Sequence, residues 1–353
     1  MRQRGKLGQK RATPRYDRIA NLPRYETYES PRYRHNLELR SGRRLTKLRN
    51  FAIFLLVIFA IVMVLLTLAN FAKSDKDTDN SQAQASQAKQ KEVAVSATTN
   101  IAKNLPSEIS VLSGQLNLPS SDLDSSLEPS GAKVAVTLLD LSSKNRGSVH
   151  YNDTIQWTSA STYKLFVAVE ENREVENGAL TWNSPLNNDT LSDCLYQMIH
   201  VSDNNCPQAW LQTYSSFSQL TATANSIGSK QTDFTEDDMR TSANDLANLL
   251  SQLYNGKLMN QSDTKNLLSL MENQEYRDGI PSGIAANISS GKAPSTTVVA
   301  DKVGFVDDYT GPVLNDAGIV ISPKGTYVLV ITTNGYSWQF IANLTSWIDA
   351  QME

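Results

Sequence analysis

The chain is poor in the residues that build metal centres and disulfide-rich scaffolds. Its 353 residues include two cysteines and three histidines, which are His35, His150 and His200. Two cysteines exclude a disulfide-dense scaffold and a cysteine-rich zinc module, because both need more of them. Three scattered histidines also argue against a His-rich metal site and a histidine-dependent catalytic triad. We therefore expect neither a metal nor a cofactor.

Net charge is small as well, but it is divided unevenly along the chain. The formal net charge is -3, with 33 Lys and Arg against 36 Asp and Glu. Residues 1–50 carry a charge of +11, and the remainder carries -14. Because the larger part would repel phosphate groups, we expect no nucleic-acid partner.

Residues 51–69 form a long apolar run with no charged residue and with Thr67 as its only polar one. A helix of this length spans about 28 Å, close to the thickness of the hydrocarbon core of a membrane. A cleaved signal peptide is the alternative, since Ala69 and Ala72 resemble a small-residue cleavage site. The run exceeds the usual apolar region of about 7–15 residues, and a long leader precedes it, which favours a retained signal-anchor over 51–72.

The basic flank of this run sets the expected topology. Arginines and lysines between positions 43 and 49 precede the run, which predicts a cytoplasmic N-terminus. The chain would then be a single-pass protein of the cell membrane, with its C-terminal domain extracytoplasmic. Residues 73–104 are rich in Ser, Gln and Ala and contain no aromatic residue, which predicts an extracytoplasmic linker before a folded domain over 105–353.

The cytoplasmic tail, residues 1–50, repeats the tripeptide Pro-Arg-Tyr three times, at 14–16, 23–25 and 31–33. We expect a disordered, cationic segment that lies on anionic lipid head groups. A docking site for a cytoplasmic partner is the sharper alternative.

The folded domain shows strands first, helices in the middle and strands last. Two β-rich segments near 133–151 predict a hairpin. Helical patterns begin at Ser161 and continue near 192–200, 205–214, 243–254 and 262–272, whereas three β-rich runs follow between 297 and 333 and a helix closes the chain. This order predicts an α/β fold, with one antiparallel sheet built from both chain ends, flanking helices and an inserted all-α subdomain. A site is expected in the cleft between sheet and insertion.

Ser161 and Lys164 are the strongest candidate catalytic pair. The Ser-x-x-Lys pattern occurs five times, but this instance alone opens an apolar helix directly after a strand hairpin. The i,i+3 spacing places the amine beside the hydroxyl. The start of the helix also offers unpaired backbone N–H groups to a developing oxyanion. A lysine whose pKa is lowered by burial and by a second cation can accept the serine proton.

Two further motifs follow in order. Ser-Asp-Asn occurs once, at 202–204, between two helical segments, and Lys302-Val303-Gly304 ends the first of the late strands. Together with Ser161 and Lys164, these motifs resemble those of the penicillin-recognising serine hydrolases, closest to class A β-lactamases. The resemblance covers about residues 106–353, with softer matches at Gly279–Gly283 and Asn315–Gly318.

The resemblance implies a role for each motif residue. Ser161 would be the acylated nucleophile, Lys164 its base, and Ser202 the proton relay to the leaving group. The substrate-binding residues implied are Asn204, Lys302, Gly304 and Phe305, with the backbone N–H groups of Ser161 and Phe305 as the oxyanion hole. The fold implied is of the β-lactamase/transpeptidase type.

Three departures from the family pattern bear on activity. Val303 stands where the family usually has Thr or Ser, and Lys324 is the only cation after Lys302, so two contacts to a substrate carboxylate are missing. The segment from Gly228 to Thr241 is short and lacks the Glu-x-x-Leu-Asn pattern that positions a deacylating water; Glu236 is its nearest carboxylate. Slow deacylation is therefore expected.

The sequence is compatible with two functions. The first is a membrane-anchored serine hydrolase that acts on β-lactams or peptidoglycan stem peptides through an acyl-enzyme. The second is a catalytically reduced module for cell-wall binding or envelope assembly. Cys194 and Cys206 flank the Ser-Asp-Asn motif, and either a disulfide or two buried thiols fits the sequence.

Overall fold

A computed structural model of the chain describes residues 79–115, 133–142, 146–308 and 311–352. No helix within these ranges is long and apolar enough to span a bilayer. The predicted signal-anchor over 51–72 and the Pro-Arg-Tyr repeats lie outside the described residues, so both stay predictions.

The described elements follow the predicted order of strands, helices and strands. The helices are α1 (Asp79–Gln115), α2 (Lys164–Glu176), α3 (Leu191–His200), α4 (Asn205–Thr213), α5 (Phe217–Ser226), α6 (Ala243–Tyr254), α7 (Gln261–Glu272), α8 (Ile280–Ser289) and α9 (Trp338–Met352). The strands are β1 (Val134–Asp140), β2 (Ser148–Tyr151), β3 (Trp157–Thr158), β4 (Pro185–Leu186), β5 (Asp189–Thr190), β6 (Asp233–Phe234), β7 (Met239–Thr241), β8 (Val298–Asp308), β9 (Gly311–Ser322) and β10 (Gly325–Asn334). Among these, α1, α5, α8 and the short strands β3 to β7 were not predicted.

Both ends of the described domain contribute to one five-stranded sheet in the order β2-β1-β10-β9-β8. Every neighbouring pair is antiparallel, and β1 joins β10 in a register that pairs Val136 with Ile331. This confirms the predicted antiparallel sheet. The insertion between its halves is mainly helical, but it also carries the short strands β3 to β7, so the prediction of an all-α insertion was wrong. Strand β8 has a neighbour on one side only, so its other edge is open toward the insertion.

The two faces of the sheet pack against different helices, because successive side chains of a strand point to opposite faces. On β8, Ala300 belongs to the apolar core shared with the helical insertion. Val299 belongs to a second core, formed with α1, α8 and α9. Lys302 and Gly304 therefore share the insertion side with Ala300, whereas Val303 and Phe305 lie on the side of α8 and α9.

Helix α1 corrects the predicted linker. The linker was expected over 73–104, with folding from residue 105, but α1 begins at Asp79 and Ile101 is fully buried. Ile101, Leu105, Ile109 and Leu112 lie four, four and three residues apart and are buried in the second core. That spacing is an amphipathic stripe, so the polar surroundings concealed a helix that packs on the sheet.

The two cysteines form a disulfide in the structure. Cys194 on α3 and Cys206 on α4 are joined by a disulfide. The bond therefore ties together the two helices that flank the Ser-Asp-Asn turn. The alternative of two free thiols is excluded by this arrangement.

Candidate active site

Ser161 lies on a tight turn between β3 and α2. Residues Ala160–Tyr163 form one 3₁₀ turn that runs into α2 at Lys164. Ala160 has a φ of 43°, in the left-handed region that a non-glycine residue rarely adopts. The turn leaves Ser161 half-buried at the cleft, whereas Thr162 and Lys164 are buried. Such a strained turn presents the hydroxyl at the surface while the following helix stays in the core.

The sheet holds this turn in place through two residues. A Cβ on Gly304 would lie 2.8 Å from both Ser159 O and Ser161 N, so only glycine allows strand β8 to approach so closely. Asn315 on β9 donates from Nδ2 to the carbonyls of Thr158 (2.8 Å) and Ser159 (3.1 Å). The edge of the sheet and the nucleophile segment are therefore locked together.

Lys164 Nζ lies 3.0 Å from Ser161 Oγ. It also lies 2.7 Å from the carbonyl oxygen of Ser202 and 2.7 Å from Asn204 Oδ1, both of which are acceptors. A neutral amine has two N–H donors and one lone pair. If the two donors serve Ser202 and Asn204, the lone pair is directed at the Ser161 hydroxyl and can take its proton.

Ser202 Oγ lies between the two lysines, 3.3 Å from Lys164 Nζ and 2.9 Å from Lys302 Nζ. Lys302 also donates to the carbonyl of Val303 at 2.9 Å. The Ser202 backbone has a φ of 59°, a second left-handed conformation at a non-glycine residue. Three motifs from distant parts of the sequence therefore form one continuous chain of polar atoms.

Burial controls the protonation of both lysines, since neither side chain is exposed. Burial lowers the pKa of Lys164 well below its usual value, and the charge of Lys302 lowers it further, against the effect of Asp203. Burial also lowers the pKa of Lys302 to about 7, against the raising effect of Asp301 and Asp316. Lys164 is thereby suited to accept a proton, and Lys302 keeps its charge up to about neutral pH.

A buried pair of carboxyl groups supports Lys302 from behind. Burial raises the pKa of Asp301 well above its usual value, as does the nearby Asp316. Burial also raises the pKa of Asp316 to about 6, although the backbone N–H of Ile280, which donates to Asp316 Oδ2 at 2.7 Å, opposes the shift. Arg277 Nη1 donates to Asp301 Oδ1 at 2.6 Å. The pair thus retains a proton at mildly acidic pH and gains charge as the pH rises.

The implied substrate-binding residues lie beside this chain of polar atoms or directly follow it on β8. Asn204 is exposed, and its Oδ1 is held by Lys164, so its amide lies at the mouth of the site. Phe305 follows Gly304 along the open edge of β8 and is 42% exposed. Its ring contacts the rings of Tyr276 (centroids 5.3 Å apart) and Trp338 (6.3 Å), both edge to face. We call Tyr276, Phe305 and Trp338 the aromatic cluster.

The short segment after α5 is a small hairpin. Strand β7 pairs with β6 on one side and with β3 on the other, and Ser159 N donates to Met239 O at 2.8 Å. Glu236, the carboxylate singled out from the sequence, is exposed at the tip of this hairpin. The hairpin therefore contacts the Ser161 turn through a backbone hydrogen bond.

Several contributors to the site were not identified from the sequence. Asn315 and Asp316 belong to one of the softer motif matches but had no assigned role. Asp316 lies against Gly279 of the other soft match, where a Cβ would collide with its carboxylate. This packing gives both matches a physical reason. Asp301, adjacent to Lys302 in sequence, was also missed.

A family model and several solved structures resemble this chain. Residues 184–346 match the model of a beta-lactamase enzyme family, a segment that holds Ser202 and Lys302 but not Ser161 and spans less than half of the chain. No curated protein sequence gives a significant match.

Solved structures resemble most of the chain. PBP-A has 17% sequence identity and a TM-score of 0.56, over 69% of this chain and 95% of its own. A mutant of PBP-A in an acyl-enzyme complex with penicillin G has 20% identity and a TM-score of 0.57, over 72% and 96%. The β-lactamase from Sphaerobacter thermophilus has 20% identity and a TM-score of 0.53, over 64% and 94%. The described part of this chain therefore has the β-lactamase-like fold.

Proposed function

We propose that the chain is a serine hydrolase that forms an acyl-enzyme on Ser161. The observation that carries this proposal is the contact of 3.0 Å between Lys164 Nζ and Ser161 Oγ, in a site where burial and Lys302 lower the pKa of the amine. An amine of lowered pKa in contact with a half-buried hydroxyl is the arrangement that general-base activation requires.

Acylation would proceed in two proton transfers. Lys164 takes the proton of Ser161 as Oγ attacks the carbonyl carbon, and the backbone N–H groups of Ser161 and Phe305 stabilise the oxyanion. The bond between the carbonyl carbon and the leaving atom then breaks. The proton passes from Lys164 through Ser202 Oγ to the leaving atom, while Lys302 stabilises the negative charge that moves along this path.

Deacylation would be slow. Water must be activated to attack the ester on Ser161, and the segment that could carry a dedicated carboxylate is instead the β6–β7 hairpin, whose Glu236 is exposed. Among the described residues, Lys164 is the basic side chain bonded to Ser161. The same amine would therefore have to serve both steps, which favours a long-lived intermediate.

β-Lactams and peptidoglycan stem peptides are the proposed substrate classes. The resemblance of the motifs supports this choice, as does the likeness of the fold to PBP-A, one structure of which is an acyl-enzyme complex with penicillin G. The proposed place of action is extracytoplasmic, with the chain anchored in the cell membrane through residues 51–72. The wall-binding alternative is less favoured, because a scaffold does not require a base in contact with Ser161.

Labelling with a fluorescent penicillin tests the proposal. The full-length chain should become covalently labelled, and Ser161→Ala should abolish the label. Ser289→Ala is the matched control, since Ser289 and Lys292 repeat the Ser-x-x-Lys spacing at the end of α8, and it should label normally. Label that survives Ser161→Ala would disprove the nucleophile, and a wild-type chain that never labels would disprove the acyl-enzyme.

A further inference from the structure

The aromatic cluster is a partly exposed apolar surface that begins one residue after Gly304, the residue that packs against the Ser161 turn. Tyr276 is 37% exposed and Phe305 is 42% exposed, which is unusual for large apolar side chains packed against one another. Gly304 immediately precedes Phe305, and a Cβ atom on Gly304 would lie 2.8 Å from Ser161 N. A molecule bonded to Ser161 and lying along the open edge of β8 would therefore reach these rings.

The leaving-group side of such a molecule is the side nearest the cluster. The leaving atom must lie beside Ser202 Oγ, which is 2.9 Å from Lys302 Nζ on β8. From Lys302 the strand continues through Val303 and Gly304 to Phe305, whose side chain lies on the side of α8 and α9. A group that extends from the leaving atom across the strand edge thus comes to Phe305, Tyr276 and Trp338.

The cations of this region are engaged elsewhere. Lys302 donates to Ser202 and to the carbonyl of Val303. Arg277, adjacent to Tyr276, donates to Asp301 Oδ1 and to the carbonyls of Met271 and Val299. A carboxylate on the leaving group would have to compete for either of them.

The face of β8 that carries Phe305 also carries a buried carboxyl group. Asp301 occupies the same side of β8 as Val303 and Phe305, and Asp301 and Asp316 form the buried carboxyl pair. Val303 is 1% exposed, so the strand offers an apolar, closed surface between this pair and Phe305. An anionic group on this face of β8 would find Arg277 already paired with Asp301, so the cost of burying its charge would go uncompensated.

We propose that the aromatic cluster receives the leaving group of the acylation step, and that this group is uncharged and carries a ring. Edge-to-face rings with exposed faces bind another apolar ring through stacking and area burial. Among peptides, the leaving residue would be blocked at its carboxyl group, so penicillins and stem peptides with a free carboxylate on the leaving side should acylate Ser161 more slowly than neutral substrates. This inference rests on the proposed acyl-enzyme and specifies its substrate.

Three acyl donors with one acyl group test the proposal. Each is a benzoylglycyl ester, and the leaving groups are methyl phenyllactate (a ring, no charge), phenyllactate (a ring and a carboxylate) and methyl lactate (no ring, no charge). In each reaction the Ser161 Oγ–carbon bond forms, the ester carbon–oxygen bond breaks, and the alcohol leaves with the proton relayed by Ser202. Water then releases benzoylglycine.

The rate of appearance of the acyl-enzyme, measured by mass spectrometry on the full-length chain, should be fastest with methyl phenyllactate as leaving group. Loss of the ring should slow acylation about 2- to 10-fold. Addition of the carboxylate should slow it about 10-fold or more. Equal or faster acylation with phenyllactate would overturn the inference and leave the proposed function intact. No acylation by any donor would overturn both.

Two matched tryptophan variants on α9 locate the effect. Trp338→Ala should remove most of the preference for the ring, whereas Trp347→Ala, on the same helix and also partly buried against the second core, should preserve it. Trp338→Arg should raise the rate with phenyllactate relative to its methyl ester, a gain that misfolding cannot produce. If all three variants keep the wild-type order of donors, the cluster does not receive the leaving group.

Discussion

The two ends of the cleft differ in kind. At one end Ser161, Lys164, Ser202 and Lys302 form a continuous polar chain, with side chains held by hydrogen bonds and buried lysines of lowered pKa. At the other end, one residue beyond Gly304, three aromatic rings meet. Under the proposed function, the polar end would carry out acyl transfer and the aromatic end would select the leaving group.

The two ends are nevertheless connected by the buried carboxyl pair. Asp301 and Asp316 raise the pKa of Lys302 at the polar end. Asp301 also accepts hydrogen bonds from Gln274 and Arg277, and Asp316 accepts from Ile280, so the pair fixes the segment that carries Tyr276. Changes at the polar end should affect all substrates alike, whereas changes in the aromatic cluster should discriminate among them.

The largest effect is expected at the polar end. Lys164→Met should slow acylation about 10²–10⁴-fold with every donor, because it removes the general base. Lys292→Met is the matched control, since it breaks a Ser-x-x-Lys pair at an exposed position and should leave the rate unchanged. Acylation rates of the two variants check this, and a normal rate in Lys164→Met would contradict the role of the amine.

The second largest effect is expected in the pH dependence of the acylation rate. The rate should rise as Lys164 loses its proton and can act as a base. It should then fall above about pH 7, because Lys302 becomes neutral there and no longer stabilises developing charge. Lys302→Arg keeps its charge at all accessible pH values, so its profile should lose the fall on the alkaline side. An alkaline fall that persists in this variant would exclude Lys302 as its cause.

A smaller effect is expected from the connecting pair. Asp316→Asn removes a negative charge that raises the pKa of Lys302, so the alkaline fall in the acylation rate should move to a lower pH. Glu236→Gln, a charge removal on the exposed hairpin, should leave the profile in place. Rate profiles between about pH 5 and 9 compare the two. A shift of the alkaline fall to higher pH would mean that the carboxyl pair does not raise the pKa of Lys302.

The smallest effect is expected in the aromatic cluster. Phe305→Leu keeps the backbone N–H and much of the apolar volume but loses the ring. Acylation by the methyl phenyllactate donor should therefore slow about 2- to 10-fold. Acylation by the methyl lactate donor should hardly change. An equal loss with both donors would indicate a disturbed oxyanion hole rather than a lost ring contact.

The sequence was sufficient to predict that the motifs around Ser161, Ser202 and Lys302 meet, but insufficient for their surroundings. Ser161 and Lys164 are close in sequence, and their context before an apolar helix was visible there. The two further motifs could be ordered along the chain, although their contacts depend on how the sheet edge meets the insertion. The sheet itself was predictable from strands of alternating and continuous apolar character.

The residues that pair across neighbouring strands could not be predicted from the sequence. The proximity of Asp301 to Asp316 depends on the register of β8 with β9, in which Asp301 pairs with Gly318 and Val303 with Asp316. The aromatic cluster likewise joins three segments that are far apart along the chain. Helix α1 is a different case, because its apolar stripe at Ile101, Leu105, Ile109 and Leu112 was present in the sequence but stood within a polar composition.

Intact mass spectrometry of the full-length chain with the methyl phenyllactate donor tests the central claim most directly. The account predicts one adduct with the mass of the benzoylglycyl group, located on the peptide that contains Ser161 and absent from Ser161→Ala. An adduct of the same mass and rate in Ser161→Ala, or an unmodified wild-type chain after long exposure, would contradict it.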